Sequence, residues 1–345
     1  MVEIICEVGK NFVDTIEEES IGVLLRKAKI LVDKAKESGA NTVKFQIHNF
    51  LDEIHPDAKI SSPHFGLDRL VWVRRNTYPF EFWFALKEYC REVGINFLST
   101  PMSRGAAEML DEIGVDRWKI GSGDILDFPM LDYIRDTGKP VILSSGMSNL
   151  EELKKAYNYL REKTKDVSIL HCVSQYPCPL EKLNLKTITF LKKEFPEAKI
   201  GFSDHSIEVS TGLMAIQLGA EIIEKHFTLN RTAWGPDHQV SLEPHEFTQM
   251  VTEIRDNQMI KIPKFYLDKA LGVETKYIQE DEQKFRKIFH KGLYASGDIL
   301  QGRLIEPEDI ISLRPKGEAE PSENYPQFLY KPAKKNFKKY DILEL

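Results

Sequence analysis

Two histidines stand at matching positions near the ends of two consecutive apolar segments. The stretch "IGFSDHSIEVS", residues 200–210, places His205 just beyond a short apolar run, and "GAEIIEKHF" carries His226 near its end. If both runs are neighbouring strands of one sheet, the two imidazoles lie at the same level. Two imidazoles can share one divalent ion and leave coordination positions open for substrate oxygens. The pattern therefore predicts a metal site, although a single histidine at a strand end is more often only a hydrogen-bonded polar residue.

Two lysines occur at positions that a strand would turn towards its inner face. In "TVKFQ", Lys44 alternates with Val43 and Phe45, and Lys119 alternates in the same way with its apolar neighbours in "RWKIGS". Burying an ammonium group is costly unless an anion meets it. Together with nearby strand-end serines, the two lysines predict a site for phosphate or carboxylate. The alternative is that they only pair with Glu7 and Glu224.

Further polar side chains follow most of the other predicted strands. These candidate site residues are Glu7, Gln46, Thr100, Ser122, Asp124, Ser145, Ser174, Tyr176 and Ser203, with Asp237 in the loop after the last strand. Polar residues that recur at the carboxyl end of strand after strand are typical of a barrel, whose active site lies on that face. An open doubly wound sheet would concentrate them at one switch point.

The segments between these strands have the pattern of amphipathic helices that end at glycine. "IGVLLRKAKILVDKAKESG" has apolar residues at positions 21, 24, 28, 31 and 35, and Gly39 suits the cap at its carboxyl end. Eight strand-like runs alternate with such helices, and "EPHEFTQMVTEIRDNQM" closes the series. The sequence therefore predicts an α/β fold, a TIM (β/α)8 barrel.

The pattern changes after residue 262. We predict a barrel domain over residues 1–262, a charged linker over 263–284, and a small, mostly β domain over 285–345 that is rich in turns. A module of about 60 residues holds little core of its own. We therefore expect it to pack on the barrel or on another subunit.

Composition excludes several classes of protein. The net charge of −6 gives no support for nucleic-acid binding. We expect no membrane span, because no apolar run approaches about 18 residues, and no secretion signal at the start of the chain. The four cysteines have no C-x-x-C spacing, which indicates reduced thiols in a cytoplasmic protein. Cys172 and Cys178 remain a less favoured pair of metal ligands.

Several blocks in order along the chain resemble the sialic acid synthase family. They are "STP", "KIGSGD…PML", "LSSGMSNLEEL", "LHCVSQYPCP", "GFSDHS", "GAEIIEKHFTL" and "GPDHQVSLEP", and the C-terminal module resembles the antifreeze-like (SAF) domain of that family. The resemblance implies condensation of phosphoenolpyruvate with an open-chain N-acyl hexose, such as N-acetylmannosamine or a 2,4-diacetamido-trideoxy hexose. The product would be a nine-carbon α-keto acid, with release of phosphate.

The resemblance also implies roles for single residues. His205 and His226 would bind manganese or magnesium, and Glu7 and Asp124 would orient or deprotonate a water molecule. Arg314, in "SLRP", would reach the sugar from the neighbouring subunit of a domain-swapped homodimer. Contacts to phosphoenolpyruvate would come from Lys44, Lys119, Ser145, Ser174 and Ser203, and contacts to the sugar or the centre from Glu7, Gln46, Thr100, Tyr176 and Asp237.

The sequence departs from the family pattern at a few positions. Phe12 replaces a histidine after strand 1, Gln239 stands where lysine is common, and Asp124 stands where many members have glutamate. Residues 61–79 also differ from what the resemblance leads us to expect. His238 is present after "GPD", which favours a neuraminic or legionaminic type over a pseudaminic type.

Two other functions remain open from the sequence. A metal-dependent sugar aldolase or isomerase on the same barrel would need the metal but no phosphoenolpyruvate. A catalytically idle barrel could bind a sugar through its C-terminal module, although the full set of polar residues argues against it.

Overall fold

A computed structural model of the chain describes residues 2–59, 68–256 and 264–344. Eight parallel strands form a nearly closed barrel, hydrogen-bonded in the order β3-β2-β1-β8-β7-β6-β5-β4, with the two end strands β3 and β4 in contact. This confirms the predicted barrel over the open sheet. The strands are β1 Glu3–Gly9, β2 Thr42–Ile47, β3 Asn96–Pro101, β4 Trp118–Ile120, β5 Val141–Ser144, β6 Val167–Cys172, β7 Ile200–Asp204 and β8 Ile222–His226.

Helices separate the strands and surround the barrel. Two short helices, α2 Phe50–Glu53 and α3 Arg69–Arg75, come between β2 and the long helix that precedes β3. The other helices of this part are α1 Ile21–Glu37, α4 Phe80–Val93, α5 Arg104–Ile113, α6 Phe128–Asp136, α7 Leu150–Arg161, α8 Lys186–Glu194, α9 Thr211–Gln217 and α10 Pro244–Arg255. Among the described residues, no helix is long and apolar enough to cross a membrane.

Helix ends follow the local sequence. Gly94 and Gly114 end α4 and α5 with φ of +76° and +84°, a left-handed conformation that costs glycine little. Asn149 and Glu152 form a reciprocal capping box at the start of α7. One expectation for α1 is wrong in detail: Ile21 is 49% exposed, so the buried stripe begins at Leu24.

The barrel has an apolar floor and a polar top. Outward-facing residues such as Val43, Phe45 and Trp118 are buried between the strands and the helices. A separate apolar cluster from five strands contains Ile5, Leu98, Ile142, Leu170 and Ile222. These residues precede the polar positions on their strands, because inward side chains of a barrel stack in layers. The floor closes the barrel below the polar layer, so the candidate site opens only at the carboxyl ends of the strands.

The remaining chain continues across the barrel mouth. It contains α11 Lys264–Leu271, α12 Glu280–Phe289, the antiparallel pair β9 Gly292–Ala295 and β10 Ile310–Leu313, and α13 Tyr325–Phe328. The linker boundary proposed at residue 284 falls inside α12. Only two residues separate α12 from β9, so the position of α12 fixes where the small sheet begins.

The C-terminal module packs on the barrel of its own chain. Lys291 Nζ lies 2.7 Å from Asp127 Oδ2 and donates to the carbonyl oxygen of Met102 at 2.6 Å. The hydroxyl of Ser322 donates to the carbonyl oxygen of Leu126 at 2.7 Å. These contacts join the module to the segments after β3 and β4.

Candidate active site at the carboxyl end of the barrel

One cavity at the barrel mouth collects nearly all the predicted site residues. It is lined by Glu7, Lys44, Gln46, Thr100, Lys119, Ser122, Asp124, Ser174, Tyr176, Ser203, His205, His226 and Asp237. Ser145 and Arg314 are the two predicted site residues that do not line it. Parallel strands of a barrel bring their carboxyl ends to one face, so residues far apart in sequence meet there.

Two lysines and two glutamates form a buried charge network at the base of the cavity. Lys44 Nζ lies 2.7 Å from Glu7 Oε2 and 3.6 Å from Glu224 Oε2, and Lys119 Nζ lies 3.6 Å from Glu224 Oε1. The hydroxyl of Ser203 donates to Glu224 Oε1 at 2.9 Å. The lysines thus do pair with the two carboxylates, the alternative left open by the sequence, and they also face the cavity.

The two glutamates of this network titrate differently. Burial favours the neutral form of both, but the positive charges of Lys119 and Lys44 lower the pKa of Glu224 to about 2. The pKa of Glu7 is raised by burial and by the negative charge of Glu224, against the opposing effect of Lys44. Glu224 is therefore the permanent counter-charge of the lysines, and Glu7 is the carboxylate better suited to accept a proton.

Serine hydroxyl groups line the β4–β6 side of the cavity, the side of Lys119. Lys119 Nζ donates to Ser144 Oγ at 2.7 Å, and Ser122 Oγ accepts from the backbone N–H of Gly146 at 3.0 Å. Gly146 lies between two serines: a methyl group on its Cα would come within 2.3 Å of Ser174 Oγ and 2.7 Å of Ser122 Oγ. Only glycine at position 146 leaves both hydroxyls where they are.

Ser145 was predicted to contact a substrate, but Ser144 lines the cavity in its place. Successive side chains of a strand face opposite sides. Ser144 faces the cavity, while Ser145 donates its hydroxyl to the carbonyl oxygen of Leu170 at 2.9 Å and is fully buried. Ser145 therefore stabilises the end of β5 and does not reach the site.

His205 and His226 lie side by side, as their spacing predicts. Their ring centroids are 5.3 Å apart, and the Tyr176 ring lies 4.1 Å from that of His205. Nδ1 of His205 lies 2.8 Å from the carbonyl oxygen of Val173, which can fix the tautomer that leaves Nε2 as an acceptor. Nδ1 of His226 is buried and has no hydrogen-bond partner among the described residues. Burial lowers the pKa of His226 to about 3, which keeps it neutral, the form that binds metals.

The histidine pair fits a divalent ion with open coordination positions. In the described parts of the chain, no group of three or more histidine, cysteine or carboxylate side chains is arranged to hold a metal. Substrate or water oxygens would therefore complete the coordination. Cys172 lines the cavity with its Sγ 3.9 Å from His205 Nδ1, whereas Cys178 lies outside it, with its Sγ 3.6 Å from the carbonyl oxygen of Pro179. The two cysteines do not form a shared site.

Arg314 does not line the cavity of its own barrel, and its action on a neighbouring subunit stays a prediction. Its backbone N–H donates to the carbonyl oxygen of Glu53 at 2.9 Å, and Nη1 donates to that of Phe289 at 2.6 Å, all within one chain. These contacts join Arg314 to the barrel of its own chain, where α12 is docked and β9 follows after two residues. Arg314 is fully buried behind Phe289. The homodimer stays a prediction.

Asp124 lies between the cavity and the C-terminal module. Its Oδ1 is 3.1 Å from Lys291 Nζ and 3.9 Å from Arg314 Nη2. Burial raises the pKa of Asp124, while these two cations act in the opposite direction. Asp124 thus faces the cavity from one side and holds the module from the other.

Helix α12 forms a roof over the cavity. Phe285, Ile288 and Phe289 line it from above. The helix is held by Arg286, whose guanidinium pairs with Glu152, and by Glu282, whose Oε1 accepts from the backbone N–H groups of Met147 and Ser174. The sequence predicted a charged linker up to residue 284 and the small β domain after it, and the few aromatic residues of this segment gave no sign of which face they cover.

Other residues that line the cavity were not predicted from the sequence. Lys10, Arg69, Trp72 and Gln239 line the cavity but come from irregular segments or a short helix, where no periodicity assigns a direction to a side chain. Of the departures from the family pattern, Phe12 is 1% exposed and packs against other aromatic rings, with Tyr78 at 5.6 Å. Residues 60–67, which include part of the divergent segment, lie outside the described residues.

His238 lies close to the site without lining the cavity. It is buried, and its Nδ1 lies 2.7 Å from the hydroxyl oxygen of Thr228. A methyl group on Gly235 would come within 2.8 Å of the His238 ring. His238 thus holds the loop that carries Asp237, and its effect on a substrate would be exerted through that loop.

The chain is similar in sequence and structure to known proteins. Residues 31–261 match the NeuB family. An N,N'-diacetyllegionaminic acid synthase of Campylobacter jejuni is 35% identical over 327 residues, which cover 92% of this chain and 94% of that protein. A crystal structure of a spore coat polysaccharide biosynthesis protein of Bacillus subtilis has a TM-score of 0.79 at 30% identity, covering 98% of this chain and 92% of that chain.

A second solved structure is also similar to this chain. It is an N-acetylneuraminic acid (sialic acid) synthetase of Leptospira borgpetersenii, with a TM-score of 0.64 at 33% identity, covering 82% of this chain and 90% of that chain. The barrel fold and the family match over two thirds of the sequence lead to the same assignment. The chain belongs to the NeuB family and is an enzyme of the sialic acid synthase type.

Proposed function

We propose that the chain condenses phosphoenolpyruvate with an open-chain N-acyl hexose to give a nine-carbon α-keto acid and phosphate. One observation carries the proposal beyond family membership: Lys119, Ser122 and Ser174 line the same cavity as His205 and His226. Ammonium and hydroxyl donors suit the phosphate and carboxylate of phosphoenolpyruvate, and paired imidazoles suit a divalent ion. The cavity would hold the two substrates side by side, which lowers the entropic cost of their reaction.

His205 and His226 would hold manganese or magnesium. A divalent ion at that position supplies Lewis-acid polarisation of the aldehyde oxygen of the acceptor. Nδ1 of His205 is hydrogen-bonded to the carbonyl oxygen of Val173, so the imidazole ring stays oriented without the ion.

The other residues bind the substrates and move a proton. C3 of phosphoenolpyruvate forms a bond to the aldehyde carbon as the C2–C3 double bond opens, and the aldehyde oxygen takes up a proton. Water adds to C2 and loses one proton. The bond from C2 to the phosphate oxygen then breaks, phosphate leaves, and the second proton of the water is lost as the keto group forms. Glu7 is the proposed acceptor of the proton from water, because burial raises its pKa and Gln46 holds its Oε1 at 2.8 Å. Lys44 and Lys119 would stabilise the negative charge of the substrate. Asp124 would orient the water.

A panel of acceptors tests the proposal. Purified protein is mixed with phosphoenolpyruvate and N-acyl hexoses of the neuraminic, legionaminic and pseudaminic series, with manganese or magnesium added. We expect phosphate release and a product whose mass equals the sum of the acceptor and pyruvic acid. Sugar conversion without phosphoenolpyruvate would favour an aldolase or isomerase, and absence of turnover with every acceptor and metal would contradict the proposal.

We further propose that the reaction takes place in the cytoplasm. All four cysteines are buried free thiols. Unpaired thiols are usual in a reducing compartment.

A further inference from the structure

Two positively charged side chains line the β1–β2 side of the cavity without a carboxylate partner. Lys10 follows β1, is 8% exposed, and has its Nζ 2.7 Å from His48 Nε2. Arg69 begins α3, and its guanidinium lies 4.5 Å from the centroid of the Phe289 ring. Among the described residues, neither cation has a carboxylate oxygen within salt-bridge distance, and Nε of Arg69 is buried with no hydrogen-bond partner.

Burying such charges without a counter-ion is unfavourable. Burial lowers the pKa of Lys10 to about 8, although Asp237 and Glu53 act in the opposite direction. Burial, together with the nearby positive charge of Arg314, lowers the pKa of Arg69 to about 9, although Glu53 and Asp124 act in the opposite direction. These carboxylates lie beyond salt-bridge distance and offset the cost of burial only in part. A ligand that brings an anionic group would neutralise the two cations.

The position of the two cations relative to the rest of the site indicates which part of which substrate they would bind. The histidine pair belongs to β7 and β8, and Lys119 with its serines belongs to β4–β6. If the aldehyde of the acceptor lies at the histidines and phosphoenolpyruvate at the serines, the far end of the acceptor is left with the β1–β2 side. Lys10 lies there with its Nζ 5.4 Å from the centroid of the Trp72 ring, and Trp72 lines the same cavity.

This inference rests on the proposed function. We propose that the preferred acceptor is an N-acyl hexose that carries an anionic group, a phosphate ester or a carboxylate, at the end remote from its aldehyde, and that Lys10 and Arg69 bind this group. Lysine supplies a point charge, and the guanidinium of Arg69 supplies the fork of N–H donors that matches such oxygens. Arg314 is not part of this subsite, because it lies behind Phe289 and does not line the cavity.

The test compares three acceptors that differ only at that end. N-acetylmannosamine, its 6-phosphate and the corresponding 6-carboxylate are each assayed with phosphoenolpyruvate and manganese. We expect a higher kcat/KM for at least one charged acceptor than for the neutral one, and the difference between phosphate and carboxylate identifies the group. Binding of each acceptor without phosphoenolpyruvate is measured by calorimetry, so that affinity is recorded independently of turnover.

Variants assign the effect to the two residues. Lys10→Met and Arg69→Met each remove a charge and keep much of the side-chain volume. We expect the ratio of charged to neutral kcat/KM to fall by about tenfold or more in each. Lys165→Met is the control, because Lys165 is exposed on the loop before β6, at the opposite end of the barrel. Arg69→Lys should recover part of the ratio.

The outcomes separate this inference from the proposed function. Turnover of the neutral acceptor with no preference for either charged one, or an unchanged ratio in folded variants, overturns the subsite and leaves the condensation intact. Absence of turnover with tighter binding of a charged acceptor supports the subsite and counts against the condensation. Absence of both turnover and preferential binding overturns both.

Discussion

The carboxylate of Glu282, in α12, accepts a hydrogen bond of 2.9 Å from the backbone N–H of Ser174, at the end of the sixth barrel strand. The same oxygen accepts from the N–H of Met147 at 2.9 Å, and Glu282 is 1% exposed. A helix outside the barrel thereby holds two of the loops that shape the cavity.

Replacing Glu282 should loosen the roof. Glu282→Ala leaves three buried backbone N–H groups without their acceptor, those of Met147, Ser174 and Gln279, at a cost of about 1–3 kcal/mol each. We expect a higher KM for phosphoenolpyruvate and faster proteolysis within residues 272–279, with Glu282→Gln intermediate. Glu280→Gln is the control, because Glu280 is exposed on the same helix. Identical kinetics and proteolysis in Glu282→Ala and wild type would mean that the contact has no role in catalysis.

The histidine pair should be required for metal binding. His205→Ala and His226→Ala should each weaken manganese binding, measured by calorimetry, and abolish turnover without unfolding the protein, since both side chains lie at the mouth and not in the floor. Chelation of the wild type should remove activity, and added manganese or magnesium should restore it. His245→Ala, at an exposed histidine, should bind metal normally. Unchanged manganese affinity in both variants of the pair would exclude it as the ligand set.

Removing the charge of Lys119 should affect one substrate more than the other. We expect Lys119→Met to raise the KM for phosphoenolpyruvate by about 10–100-fold and the KM for the sugar much less, because charged hydrogen bonds contribute about 1.5–3 kcal/mol. Lys225→Met is an informative contrast: Lys225 is fully buried, pairs with Asp204 at 2.6 Å and does not line the cavity. It should lower stability by about 3–5 kcal/mol. Equal effects of Lys119→Met on both KM values would indicate a structural role.

A single methyl group at Gly146 should disturb the serines. Gly146→Ala places Cβ within 2.3 Å of Ser174 Oγ, so at least one hydroxyl must move. A displacement near 1 Å can reduce kcat/KM on the order of 100-fold. Gly22→Ala, where Cβ meets nothing within 4 Å, should retain full activity and gain about 0.5–1 kcal/mol of stability. Wild-type kinetics in Gly146→Ala would show that the serine positions are not critical.

The in-chain position of Arg314 makes a prediction about mixed assemblies. His205→Ala damages the barrel, and Arg314→Ala damages the contact of the module with Glu53 and Phe289. If each module serves its own barrel, no combination of these two chains contains an undamaged site. We expect co-expressed variants to have the summed activity of the two parents. Activity well above that sum would show that modules act on a neighbouring barrel.

The barrel and most of the site could be predicted from the sequence because alternation along a strand assigns a side to each residue. Lys44, Lys119 and the two histidines follow from that rule. The prediction of Ser145 is off by one residue, because Ser144 is the serine that lines the cavity. The sequence "LSS" offers two adjacent hydroxyls, and the sequence does not say which of them faces inward in β5. The roof could not be predicted, because Phe285 and Phe289 acquire their role only from where α12 docks.

The roof helix α12 follows all eight barrel strands in the sequence, and this has a consequence for the order in which the parts of the site are synthesised. Glu7 and Phe289 line one cavity, but Glu7 leaves the ribosome well before Phe289. A chain that stops before residue 280 has every barrel strand and both histidines, yet no roof. The active site is therefore completed only after every strand of the barrel has been translated, when the barrel that α12 covers is already available to fold.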